Sequence, residues 1–202
     1  MSKIAVDIVL LPSDEMMDRV IEANAELVER FDSEIVLNKE NCLPHISLAM
    51  GGIEETDIAS IKKVLELIAK ESPLRDLTVC GMRTSINAQG EKVSVFEVEK
   101  TKELQSLHEK VVKKLTPYFS YDVSSDMMYG DEEVAETSLI WIKNYPQKAS
   151  FANFFPHITI GYGEIESQSL PTTFAASTLA LCHLGNHCTC RKVLASIDRA
   201  HL

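Results

Sequence analysis

One short stretch occurs twice in this chain. Leu43-Pro44-His45-Ile46-Ser47-Leu48-Ala49-Met50-Gly51-Gly52-Ile53 returns as Phe155-Pro156-His157-Ile158-Thr159-Ile160-Gly161-Tyr162-Gly163-Glu164-Ile165. At a constant offset of 112 residues, Pro, His, Ile, Gly and the final Ile are identical, and Ser pairs with Thr. Identities at one offset point to a duplicated unit. The chain is therefore read as two halves, each giving one histidine and one hydroxyl to a shared site.

In an extended strand successive side chains point to opposite faces. His45 and Ser47 then share a face, while Ile46 and Leu48 anchor the other; His157 and Thr159 repeat this above Ile158 and Ile160. If the halves pack about a pseudo-twofold axis, the two polar faces meet in one cleft. Two imidazoles across a cleft suit a phosphodiester. One takes a proton from water or an attacking hydroxyl and the other gives a proton to the leaving oxygen, and an ordinary pKa of about 6.5 allows both forms near neutrality. The Ser47 and Thr159 hydroxyls would hydrogen-bond the non-bridging phosphate oxygens. This scheme requires no metal and no cofactor.

The spacing of apolar residues gives the frame. Ile4, Val6, Ile8 and Leu10 alternate as a strand with one buried face, and Pro12-Ser13-Asp14-Glu15 opens a helix carrying Met17, Val20, Ile21, Asn24, Leu27, Val28 and Phe31 at helical spacing. Residues 34–37 and the first motif read as extended. Thr56 is expected to cap a second helix with Ile58, Ile61, Val64, Leu65 and Ile68 inward, and Pro73 lies just beyond its end. Residues 75–83 and 93–98 read as strands joined by Asn87-Ala88-Gln89-Gly90, and Thr101 opens a helix bearing Leu104, Leu107, His108, Val111, Val112 and Leu115. Residues 138–143 and the second motif read as strands. Residues 177–183 and 187–197 read as a closing hairpin around Leu184-Gly185-Asn186.

The helix starts near Asp14 and Lys102 are 88 residues apart, whereas the motifs are 112 apart, so the second half carries about two dozen extra residues. These fall in 118–138, around Met127-Met128-Tyr129-Gly130-Asp131-Glu132-Glu133. Such a segment is either a solvated loop or a lid that selects substrate.

At this point the residues carry a family resemblance. His45-Ile46-Ser47-Leu48 and His157-Ile158-Thr159-Ile160 resemble the two H-x-[S/T]-x signatures of the 2H phosphoesterase superfamily, which includes 2′-5′ RNA ligase-like proteins and cyclic phosphodiesterases. The order of elements from Ile4 to Ile197 resembles that family's duplicated fold. The resemblance implies one bilobal α+β domain over 1–202, with two antiparallel sheets lining a central cleft and helices outside. It also implies metal-independent hydrolysis, transfer or ligation of phosphodiesters, often a 2′,3′-cyclic phosphate or 2′-5′ linkage. Related sequences often carry an aromatic after the first motif, where this chain has Met50, and a basic residue after the second, where it has Tyr162. Tyr162 would stack on a base or simply pack at the strand end, and Tyr129 is a further candidate substrate contact.

Composition narrows the partner. A net charge of −10 argues against a long phosphate backbone, since neutralising phosphates supplies most such affinity. A small phosphodiester or nucleotide is the expected substrate, and the ligase direction and a non-catalytic phosphate-binding module on the same fold are the alternatives. The oligomeric state is not legible. No apolar run approaches a membrane span and no signal peptide is evident, so a cytoplasmic location is the default expectation. Five cysteines in such a setting argue against a disulfide framework, and the spacing of Cys182, Cys188 and Cys190 matches no common zinc pattern. They are expected as buried free thiols. His108 is expected at the core boundary or surface, His201 near a mobile end, and Trp141 and Tyr145 either in the cleft or in the core of the second half.

Overall fold

The structure, a computed structural model, describes residues 2–31, 33–72, 76–87, 89–165, 171–176 and 178–198. In chain order the elements are β1 (Lys3–Leu11), α1 (Asp14–Phe31), β2 (Ile46–Glu54), α2 (Ile58–Glu71), β3 (Leu77–Ile86), β4 (Lys92–Val98), α3 (Lys102–Leu115), α4 (Glu136–Lys148), β5 (His157–Tyr162), β6 (Thr172–Phe174), β7 (Thr178–Gly185) and β8 (Thr189–Asp198). Pro73, Arg75, Ala88, Ser177 and His201 lie outside the described residues.

Two four-stranded sheets result, ordered β2-β1-β7-β8 and β5-β4-β3-β6, and every neighbouring pair is antiparallel. Each half's first helix crosses to the other half: α1 packs on β5, and α3 packs on β2. The matched glycines of the motifs mark that crossing. A Cβ on Gly51 would sit 2.9 Å from the Phe119 ring, and one on Gly163, at φ +116°, would sit 2.5 Å from Phe31. Phe31, which ends α1, and Phe119, just beyond α3, are separated by the same 88 residues as the helix starts. Glycine recurs because an aromatic from the opposite half needs the space.

Local signals hold where they are strongest. Asp14 and Glu15 complement the dipole at the start of α1 and Arg30 at its end. The Thr101 hydroxyl accepts from the Leu104 amide and caps α3. At α2 the expectation fails: Thr56 lies inside a 3-10 turn over Glu55–Asp57, and the helix begins behind Asp57 with no side-chain cap. β1 is buried on both faces, because Ile4, Val6, Ile8 and Leu10 enter the main core while Val9 and Leu11 pack with Met17 and Leu43, and Ala5 packs with Ile142 and Tyr145.

The largest correction concerns residues 138–143, which form part of the helix α4 and not a strand. Ile142 and Tyr145, on the face that also buries Ser138, pack into a satellite core with Ala5, Met50, Met128 and Leu184. Tertiary burial at helical spacing overrides the strand preference of Leu139-Ile140-Trp141-Ile142. Ahead of α4 the extra segment is not a free solvated loop. Ser120 exchanges two backbone hydrogen bonds with Gly52 on the edge of β2, and Met128 is buried beneath α4. In the closing hairpin Cys182 and Cys190 form a disulfide between β7 and β8, which corrects the expectation of free thiols there. Cys42, Cys80 and Cys188 are free. No helix among the described residues is long and apolar enough to cross a membrane.

Candidate active site

His45 immediately precedes β2 and His157 opens β5. Both strands then bulge at the same place. Ile8 pairs with Ala49 and Val9 with Ser47, leaving Leu48 out of the ladder; Ser94 pairs with Gly161 and Val95 with Thr159, leaving Ile160 out. A bulge bends its strand and re-aims the side chains beside it. The released carbonyls are taken by buried polar side chains. His108 Nδ1 donates to Leu48 O at 2.8 Å, and Asn24 Nδ2 donates to Ile160 O at 2.7 Å.

The two candidate histidines have matching local geometry. His45 Nδ1 donates to Leu43 O at 2.8 Å, and His157 Nδ1 donates to Phe155 O at 2.7 Å. A carbonyl only accepts, so each ring is held with its proton on Nδ1, which leaves Nε2 bare in the neutral ring. Burial lowers the pKa of both rings, His45 to about 4, while each carbonyl bond pulls the other way. Proximity of His157 lowers His45 further, and Glu97 partly offsets burial at His157. Burial thus favours the neutral form of both rings.

His45, Ser47, His157 and Thr159 line one cleft of about 740 Å³, so the structure brings all four together. Tyr162 lines it too, its hydroxyl 2.9 Å from His187 Nδ1, and His187 Nε2 lies 2.9 Å from Glu34. Tyr129 does not line the cleft; it packs edge-on against His183 at 5.3 Å. Helix α4 supplies one wall through Thr137, Ile140, Trp141, Asn144 and Lys148, with Tyr145 buried beside them. Trp141 thus belongs to the cleft, and Tyr145 joins the satellite core under the first sheet and not the core of the second half. Phe155 stacks on the His157 ring, and the Arg83 guanidinium lies 4.8 Å from the Phe155 centroid while its Nε pairs with Glu97 at 2.5 Å. His108 is fully buried, with Phe154 stacked on it at 4.0 Å.

One neighbour of the site escaped the sequence reading. Asp7, on β1, is 0% exposed, and its Oδ2 lies 3.8 Å from His45 Nε2. The available signal is a carboxylate in an otherwise apolar alternating strand. For a metal, no group of three or more His, Cys, Asp or Glu side chains converges among the described residues.

Two four-stranded antiparallel sheets, exchanged helices and two matched bulged strands give the bilobal α+β architecture that the sequence led us to expect. Among solved structures the chain is similar to LigT of E. coli in apo form, at 12% identity over 98% of both chains with a TM-score of 0.52. It is also similar to TT0787 of Thermus thermophilus, at 15% identity over 97% of this chain and 98% of that one, with a TM-score of 0.54. No family model and no curated relative matches the sequence.

Proposed function

We propose that the cleft hydrolyses a small phosphodiester, such as a 2′,3′-cyclic phosphate or a 2′-5′ linkage, by acid–base catalysis between His45 and His157. The observation that carries this reading is the matched pair itself: two rings with Nδ1 tied to the carbonyl two residues back and Nε2 left for chemistry in one cleft. A bound diester anion raises the proton affinity of both rings, because an opposite charge offsets the burial that holds them neutral. One imidazole then carries a proton to the leaving oxygen while the other accepts one from water. Ser47 and Thr159 donate to the non-bridging oxygens, where charge accumulates.

The lining favours a small ester over a polymer. Arg83 is engaged by Glu97, which leaves Lys148 as the other lysine or arginine along the described wall. Trp141, Ile140 and Phe155 offer exposed apolar surface to a base or similar flat group. Binding RNA ends for ligation would call for more free cations. One imidazole gives a proton to the leaving oxygen and the other takes one from water, so the scheme calls for no metal.

The test is hydrolysis of a panel of 2′,3′-cyclic nucleotides and short 2′-5′ oligonucleotides with EDTA present, beside the His45→Ala/His157→Ala double variant. Turnover by the wild type alone is expected. Equal turnover by the double variant overturns the assignment.

A further inference from the structure

The two histidines are alike in their own bonds but not in what stands behind them. By strand register Asp7 sits opposite Met50, and the matching position of the second half, opposite Tyr162, is Val93. His45 therefore has a buried carboxyl beside Nε2, whereas His157 has an aliphatic side chain at the equivalent place and its own neighbouring carboxylate, Glu97, is paired with Arg83. Neither Asp7 oxygen makes a hydrogen bond of normal geometry, and among the described residues no lysine or arginine pairs with it. A carboxyl kept wholly inside a strand without a well-formed hydrogen bond is strongly disfavoured when ionised, and apolar residues fill such positions by default.

We propose that Asp7 is a positioning residue that shares one proton with His45, making His45 the general acid and leaving His157 as the base. This rests on the phosphodiesterase reading. The groups facing Asp7 are His45 and Ser47 on the first motif, Tyr145 on α4, Cys188 in the turn before β8, and Cys182 across on β7, which is tied up in its disulfide. None supplies a positive charge except His45 when protonated. Burial pushes the Asp7 carboxyl well above the ordinary carboxylate range, with Ser47 and the Ala49 backbone opposing, so burial favours keeping the proton on Asp7 until an anion arrives.

The proton and the bonds balance in one cycle. A diester anion arriving beside Nε2 draws the proton from Asp7 to His45, giving carboxylate and imidazolium. His157 Nε2 takes a proton from water as the water oxygen bonds to phosphorus. The bond from phosphorus to the leaving oxygen breaks, and that oxygen takes the His45 proton. The products are a phosphomonoester and an alcohol, with Asp7 ionised and His157 protonated, and return of one proton through solvent resets both. The gap of 3.8 Å is longer than a hydrogen bond, so Nε2 is not committed to Asp7 and can serve the leaving oxygen.

Two measurements on the full chain test this. Ring nitrogen NMR of His45 should show a second titration step well above the ordinary carboxylate range in the wild type, reporting Asp7, and the nearly isosteric Asp7→Asn should abolish it. If the step is missing, or Asp7 titrates in the ordinary carboxylate range, the proposal is overturned regardless of activity. The second measurement compares an alkyl phosphodiester with its 4-nitrophenyl counterpart, whose leaving group needs little protonation. Asp7→Asn should lower kcat roughly 10²-fold on the alkyl ester, with KM changed less than about threefold, and much less on the nitrophenyl ester. His157→Ala should lose comparably on both. Equal losses from Asp7→Asn on the two esters would overturn the acid assignment. A wild type inactive on both would count against the phosphodiesterase reading, while the NMR result would still decide whether the pair shares a proton.

Discussion

Asn24 and His108 do the same work on opposite halves of the molecule. Each is a buried polar residue on a helix of one half, and each holds the carbonyl that the bulge has freed in the motif strand of the other. Neither side chain stops there. Asn24 also donates to Ile35 O and accepts from the Leu37 amide, fixing the approach to the first motif. His108 Nε2 accepts from the Phe151 amide, at the head of the segment leading to His157, where Phe151 has φ +55°. The candidate histidines are therefore positioned by buried polar contacts as well as by apolar packing.

Asn24→Ala should lower stability by about 3 kcal/mol, because it strands two carbonyls and one amide in the interior. Urea unfolding reads this directly. A loss below about 1 kcal/mol would mean that the bulge at Ile160 does not need its tether.

Stability should fall as the solution is acidified from about pH 6.5 toward about 4. Burial lowers the pKa of His108 to about 4, and Nε2 must stay bare to accept from Phe151. Between the unfolded value near 6.5 and the folded value, the unfolded chain binds the proton that the folded chain refuses. The contribution is complete above about pH 6.5 and is lost on the way down, on the order of 2 kcal/mol for His108 after allowing for screening. His45 and His157 shift the same way and add to the slope. Equilibrium unfolding at a series of pH values should show His108→Gln with a shallower dependence than wild type; parallel curves would remove His108 from the account.

His45→Ala and His157→Ala should each lower turnover about 10²–10⁴-fold while the melting temperature holds. Ser47→Ala and Thr159→Ala remove one hydrogen bond each and should reduce turnover about tenfold. Effects of the paired histidines should fall short of multiplicative, since each proton transfer depends on the other. Single-turnover kinetics on the best substrate of the panel would show this, and full additivity would argue for independent roles.

Thiol titration of denatured, unreduced protein should find three reactive groups among the five cysteines, with two more appearing after reduction. Five from the outset would mean that Cys182 and Cys190 are not bonded in solution.

Much of this is legible because it is written locally. The repeat announces itself by identity at one offset, α1 by acids behind Ser13, and α3 by Thr101 ahead of its apolar stripe. What escapes depends on distant neighbours. Helix α4 is helical because the face bearing Ile142 and Tyr145 fits onto Ala5 and Met50, which no window around residue 140 contains. Asp7 reads as a lone interruption of a strand until the fold brings it within 3.8 Å of His45, with Val93 at the matching register position of the other half. The disulfide depends on bulges between β7 and β8 that offset the strands near Cys182 and Cys190, and spacing along the chain does not encode a bulge. The aromatic ring of Tyr129 suggests a substrate contact, but its direction is set by His183.

The exchange of helices has a consequence for how this chain comes apart. Because α1 shelters the strand of His157 and α3 that of His45, opening either half exposes the motif strand of its neighbour along with its own. No partially unfolded species can retain one intact histidine station. The catalytic apparatus should vanish and reappear as a whole, so loss of activity in denaturant should coincide with the global transition and not precede it.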